Sequence, residues 1–132
     1  MSTLNFDWDI VDGQTVLAVI GRNERRQSDA SLAWDQIAFV LDERALILSV
    51  NDTDELIVEL SAVSEPGDWL EVASLSRFVA KPLGWGWVIA NYRGYNDGFM
   101  VAFGETTDGL EPKLTFLAEG SAIICFHMTV AR

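Results

Sequence analysis

Cys125 and His127 are the single cysteine and the single histidine of this 132-residue chain, and they stand two positions apart. On a β-strand that spacing puts both side chains on one face, with Cα atoms about 7 Å apart. A thiol beside an imidazole is the pairing of a nucleophilic enzyme. Their neighbours are Ile123, Ile124, Phe126 and Met128, and an apolar strand favours an inert thiol. The expectation is a buried, hydrogen-bonded histidine beside a core cysteine. A zinc site wants about four Cys or His ligands, twice what the chain owns. Asp52 and Asp54 alternate as at the start of a calcium loop, but the glycine and closing glutamate are missing, so they read as turn carboxylates. Gly84-Trp85-Gly86 leads into a strand-like run rather than a helix, which fails the context of a dinucleotide motif. No serine stands in a Gly-x-Ser-x-Gly elbow. With 20 acidic residues, a glycosidase-like carboxylate pair rests on separation in space. The residues therefore imply no metal and no cofactor.

The richer chemistry lies at residues 91–97. Asn91, Tyr92, Arg93, Tyr95, Asn96 and Asp97 combine amides, amphipathic aromatics, one cation and one carboxylate. Such mixtures recur at protein contact surfaces. Turn chemistry explains the same residue types, with Asn91 and Asp97 bonding turn amides and the tyrosines packing over the turn. Both readings stand on the sequence.

These residues need a scaffold, and period-two alternation supplies it. Trp85, Trp87 and Ile89 alternate on one side of the turn, and Phe99, Val101 and Phe103 on the other, which predicts a β-hairpin with a decorated tip. Gly86, between two indoles, predicts a bulge or a close neighbouring backbone. Gly94 and Gly98 suit positive φ. Upstream, a strand is expected over Gln14–Ile20, then a polar loop or frayed helical turn over Gly21–Ser31. Three alternating segments follow, with Ile37/Phe39/Leu41, Leu46/Leu48/Val50 and Leu56/Val58/Leu60 as their apolar sides. They imply an antiparallel meander with one wet face. Glu65-Pro66-Gly67-Asp68 reads as a turn, with Asp68 capping a short helix over Trp69–Arg77 that packs Trp69, Val72 and Leu75 on the sheet. After Glu105–Pro112 come Leu114–Ala118 and a last strand, Ser121–Ala131. That strand is apolar on both faces and so expected to be central and covered on both sides, by the helix on one. The fold class is α+β, mainly antiparallel β, with about seven to eight strands in meanders and hairpins and one short helix near 69–77. Residues 1–132 make a single domain.

Composition narrows the partners. The formal net charge is −11, which opposes nucleic acid and anionic membrane surfaces and suits solubility or attraction to a basic protein. Arg22, Arg25 and Arg26 gather three of the nine basic residues and read as a solvated loop rather than an anion site. No apolar run reaches the length of a membrane span. An acidic N-terminus and a lone cysteine suit a reducing cytoplasm.

The pattern Leu83-Gly84-Trp85-x-Trp87, Asn91-x-x-Gly94-Tyr95-x-Asp97-Gly98-Phe99 and Phe103 resembles a family of short bacterial proteins known only as a domain of unknown function. Trp34-Asp35-Gln36-Ile37, Ala45–Asn51 and Glu119-Gly120-Ser121-Ala122-Ile123 are similar as well. The resemblance implies a small bacterial cytoplasmic domain, with no catalytic residues to carry over.

The functional expectation is a non-enzymatic binding or protein-interaction domain, an immunity-like inhibitor being one form of it. Its partner is another protein or a second copy in a homo-oligomer. The alternative is a small enzyme acting on a polar molecule through tip carboxylates or the Cys125/His127 pair.

Overall fold

The computed structural model describes residues 3–62 and 67–131. Eleven strands among them form two antiparallel sheets, with helix limited to three short 3₁₀ segments. The mainly antiparallel expectation holds, with more strands and less helix than the sequence suggests.

The first sheet is built on the expected meander. Strands β4 (Gln36–Val40), β5 (Ala45–Val50) and β6 (Leu56–Ser61) pair in sequence order. Beyond β4 lies β1 (Ala18–Arg22), then β7 (Trp69–Glu71) at the edge. β1 is displaced from the expected Gln14–Ile20. It runs through Gly21 and Arg22, because Gly21 lets the Trp34 ring and Val72 close over the strand. A Cβ at Gly21 would stand 2.7 Å from Trp34 Cδ1.

The second sheet has six strands. Two short ones, β2 (Arg25–Arg26) and β3 (Leu32–Trp34), pair with each other, and β3 pairs with β11 (Ala122–His127). β11 pairs with β10 (Leu114–Glu119), β10 with β9 (Gly98–Phe103) and β9 with the edge strand β8 (Leu83–Ile89). The stretch expected to be a loop or helical turn over 21–31 thus contains strand residues of both sheets. Asp35 alone separates β3 from β4, so the chain passes between sheets in one residue.

The expected helix over Trp69–Arg77 is replaced by β7 and a six-residue 3₁₀ segment, Ala73–Phe78. Three-residue spacing of Trp69, Val72 and Leu75 fits a helix, but 3₁₀ geometry repeats every three residues too. Val72, not Asp68, holds the N-cap position and makes no side-chain cap bond. Glu65 and Pro66 of the expected turn lie outside the described residues.

The core lies between the sheets. Phe39 of β4 meets Phe103 at 5.7 Å and Phe116 at 5.8 Å between ring centroids, and Phe78 closes on Phe103 at 4.5 Å. Ile37, Leu46, Leu48, Val58, Phe99, Val101 and Ile123 are buried around them. The apolar sides of the meander strands and of β9 therefore face inward as the alternation predicts. β11 is interior to its sheet, but among the described residues no helix covers its outer face: Phe126 there is 48% exposed. Among the described residues no helix is long and apolar enough to cross a membrane.

Candidate functional site

β8 and β9 form the expected hairpin. Its register shifts between Leu83 and Gly86, giving the bulge. What fills the space above Gly86 is aromatic rather than backbone: a Cβ there would stand 2.8 Å from Phe99 Cζ and 3.1 Å from the Trp8 ring. Trp8 is pinned by its indole N–H donating to the Gly84 carbonyl at 2.9 Å. At the tip Gly94 has φ +87° as expected. Gly98 does not take positive φ. It sits buried in β9, where a Cβ would stand 2.7 Å from Leu117 Cδ2, so it is glycine for lack of room.

The six tip residues divide into two groups. Asn91 Oδ1 accepts from the amides of Arg93 at 2.9 Å and Tyr95 at 3.2 Å, and Asn91 Nδ2 donates to Asp97 Oδ2 at 3.2 Å. The Asn96 amide donates to Glu55 Oε2 at 3.2 Å, while its carbonyl accepts from the Leu56 amide at 2.9 Å. The Asp97 carbonyl accepts from the Ala118 amide at 2.8 Å. Asn91, Asn96 and Asp97 thus brace the turn and tie it to its neighbours. Tyr92 and Tyr95 do not pack over the hairpin: Tyr92 is 91% exposed and Tyr95 51%. The Arg93 guanidinium lies 5.5 Å from the Tyr92 ring centroid and donates through Nε to its hydroxyl at 3.0 Å.

The tip belongs to a larger junction of turns. Asn51 Oδ1 accepts from the amides of Thr53 and Glu55, shaping the β5–β6 turn. Asp54 of that turn reaches the β10–β11 turn of the other sheet, accepting from the Ser121 amide at 2.8 Å and the Gly120 amide at 3.2 Å. Asp54 is therefore a fastener between sheets. Among the described residues no cluster of His, Cys, Asp or Glu could hold a metal ion. The bond from the Asn96 amide, then that from Thr53, hold the Glu55 carboxyl below its ordinary range.

Cys125 and His127 share a face of β11 without sharing chemistry. Burial pushes the Cys125 thiol up to about 12, so it is not a thiolate near neutrality. His127 is exposed rather than buried, because β11 ends there beyond the core. Its ring stacks on Phe78 at 6.4 Å, and Nδ1 accepts from Arg77 Nη2 at 3.0 Å. An arginine only donates, so Nδ1 is the bare nitrogen and the ring is neutral. Loss of hydration, then the Arg77 charge, lower the pKa of His127.

A further surface escapes a strand-by-strand reading. Cross-strand register places Trp87, Met100, Thr115 and Phe126 in one row on the outer face of the six-stranded sheet. The next row is Ile89, Gly98, Leu117, Ile124 and Ala33. Neither row carries a charge from β8 to β3; the second continues to Arg25 of the edge strand β2, opposite Ala33 and ion-paired to Asp35. Trp85, 53% exposed, adds its ring 6.3 Å from that of Trp87. The Thr115 hydroxyl is buried among these side chains without a hydrogen-bond partner among the described residues. Acids stand at both ends: Asp12 and Glu105 line a cavity of about 340 Å³ with Trp85, and Glu119 and Asp97 lie beyond Leu117. The sequence signal for this face was the apolar character of both sides of the last strand, which the expected covering helix explained away.

The fold and these surfaces define a two-sheet antiparallel β protein whose described residues assemble no catalytic constellation around the Cys125/His127 pair. The chain belongs to DUF6334, a family of unknown function, whose model matches residues 1–132. No curated protein matches the chain, and neither does any solved structure.

Proposed function

We propose that this protein is a non-enzymatic interaction domain that docks a basic partner protein on the outer face of its six-stranded sheet, with the hairpin tip at the margin. The observation that carries this reading is the uncharged double row from Trp87 to Phe126 and from Ile89 to Ala33, open to water at Phe126 and Trp85. Antiparallel sheets turn a polar face to solvent when nothing covers them, and contiguous exposed apolar patches mark contact sites. The acids that flank the rows along the strand direction and the net charge of −11 favour a partner whose apolar surface has a basic rim, the Arg25 that ends one row being already paired to Asp35. Tyr92, Arg93 and Tyr95 supply the aromatic and cationic side chains that hot spots favour. A reducing bacterial cytoplasm, implied by the family resemblance and suited to the lone Cys125, is the setting of this reading. Inhibition of a basic toxin, as by an immunity protein, is its most specific form.

The test places a photo-crosslinking residue at position 126, at position 92 and, as a control on the opposite sheet, at position 71. The expected result in the native host is one basic protein linked from 126 and 92 but not from 71, with Phe126→Lys abolishing the adduct while leaving the fold intact by circular dichroism. Equal linking from position 71, an adduct between two copies of the chain, or none at all overturns the proposal.

A further inference from the structure

The outer face of the five-stranded sheet carries a site of a different kind. Register aligns Ile57, Ser49, Gln36, Arg22 and Trp69 in one row across it. Arg22, Gln36, Ser49 and Trp69 line a cavity of about 220 Å³ together with Glu59 and Ser61. Arg22 and Gln36 also line an adjoining cleft of about 800 Å³. The Arg22 guanidinium lies 4.7 Å from the Trp69 ring centroid. Arg22 Nε and the indole Nε1 of Trp69 are both shielded from solvent, and neither has a hydrogen-bond partner among the described residues. Neither Arg22 nor Glu59 enters an ion pair among the described residues. Its neighbour Arg25 is paired, to Asp35 at 3.0 Å.

Two N–H donors without acceptors beside each other are costly to bury, and an arginine fork matches a carboxylate. An acid lining the same small cavity offers a place for a positive group. We infer that this groove binds a small zwitterion, its carboxylate taking the hydrogen bonds that Arg22 and Trp69 lack and its ammonium facing Glu59. Access requires the Trp69 ring to turn aside, since both donors are covered. The site lies on the sheet opposite the apolar face and stands independently of the docking proposal.

The indole N–H of Trp69 gives a direct readout in ¹⁵N-edited NMR spectra, assigned by its loss in Trp69→Phe. Glycine, β-alanine and γ-aminobutyrate serve as rulers of charge spacing, with acetate and ethylammonium as single-charge controls. The expected result is a saturable shift of the Trp69 indole signal by one of the three zwitterions, at least tenfold tighter than by either control. Arg22→Gln is expected to remove it and Glu59→Gln to bring the zwitterion down to the affinity of acetate, with dispersed spectra showing that both variants are folded. No saturable shift up to 50-fold molar excess at millimolar protein, a shift that survives Arg22→Gln, or acetate binding as tightly as the zwitterions overturns the inference.

Discussion

The two sheets present opposite outer faces to water. On the five-stranded sheet, one row mixes Ser49, Gln36 and Arg22 with Ile57 and Trp69, and the next sets Glu59 and Glu71 around Ile47, Ala38 and Ile20. On the six-stranded sheet the two corresponding rows hold no charge from β8 to β3, and only at the β2 edge does Arg25 end one of them. The inner faces are alike, both lined by Phe, Leu, Ile and Val around Phe39. Folding needs only the inner faces to be apolar, since one packed core already satisfies both sheets. The difference outside is thus not accounted for by the core, and this is why we assign the two faces different tasks.

Four measurements break or sharpen this contrast. The largest effect is expected from Phe39→Ala, because that ring bridges β4 to β9 and β10. It should cost about 3–5 kcal/mol in one cooperative urea transition. Two separate transitions would mean that the faces are backed by independent cores. Next is Thr115→Val, which removes the unpartnered hydroxyl under the apolar rows. A gain of about 1 kcal/mol is expected, and a loss would show that the hydroxyl has a partner in solution. On the other sheet, Ser49→Val exchanges a half-buried hydroxyl for a methyl group and adds a second methyl on the open outer face. It should move stability by less than about 0.5 kcal/mol, and a gain as large as that at Thr115 would erase the contrast. The smallest effect joins the two sheets. The Glu55 carboxyl, held below its ordinary range by the Asn96 amide, stabilises the tip fully above the unfolded carboxyl value and loses that role as pH falls through the folded one. The Asn96 amide signal in an NMR titration should therefore move below pH 4.5. Movement centred above that pH contradicts the hydrogen bond.

The parts of the fold that show in the sequence are those whose alternation is long enough to register. β4, β5, β6 and the 83–103 hairpin each keep a two-residue rhythm over five or more positions, and a bulge at Gly86 does not erase it. β2, β3 and β7 have two or three residues each, too few for any period. Trp69 and Val72 then borrow a helical spacing from a strand followed by a 3₁₀ turn. The tip was visible as a group of residue types, and Gly94 marked its turn. Its division into bracing Asn91, Asn96 and Asp97 and outward Tyr92, Arg93 and Tyr95 rests on partners far along the chain, such as Glu55, 41 residues away. The Arg22–Trp69 pairing likewise depends on β7 returning beside β1, which no local pattern encodes.

The passage between sheets at Asp35 has a consequence for how the molecule can be made or divided. β3 waits for β11, close to ninety positions downstream, and β1 waits for β7 across the whole meander. Loops of that size must close before the pairing rewards them, which slows the search for the native state. A cut between β6 and β7 leaves each fragment missing a neighbour that only the other supplies. Neither half can therefore serve as a free-standing module, and a ribosome must release the chain through β11 before the second sheet has all its strands.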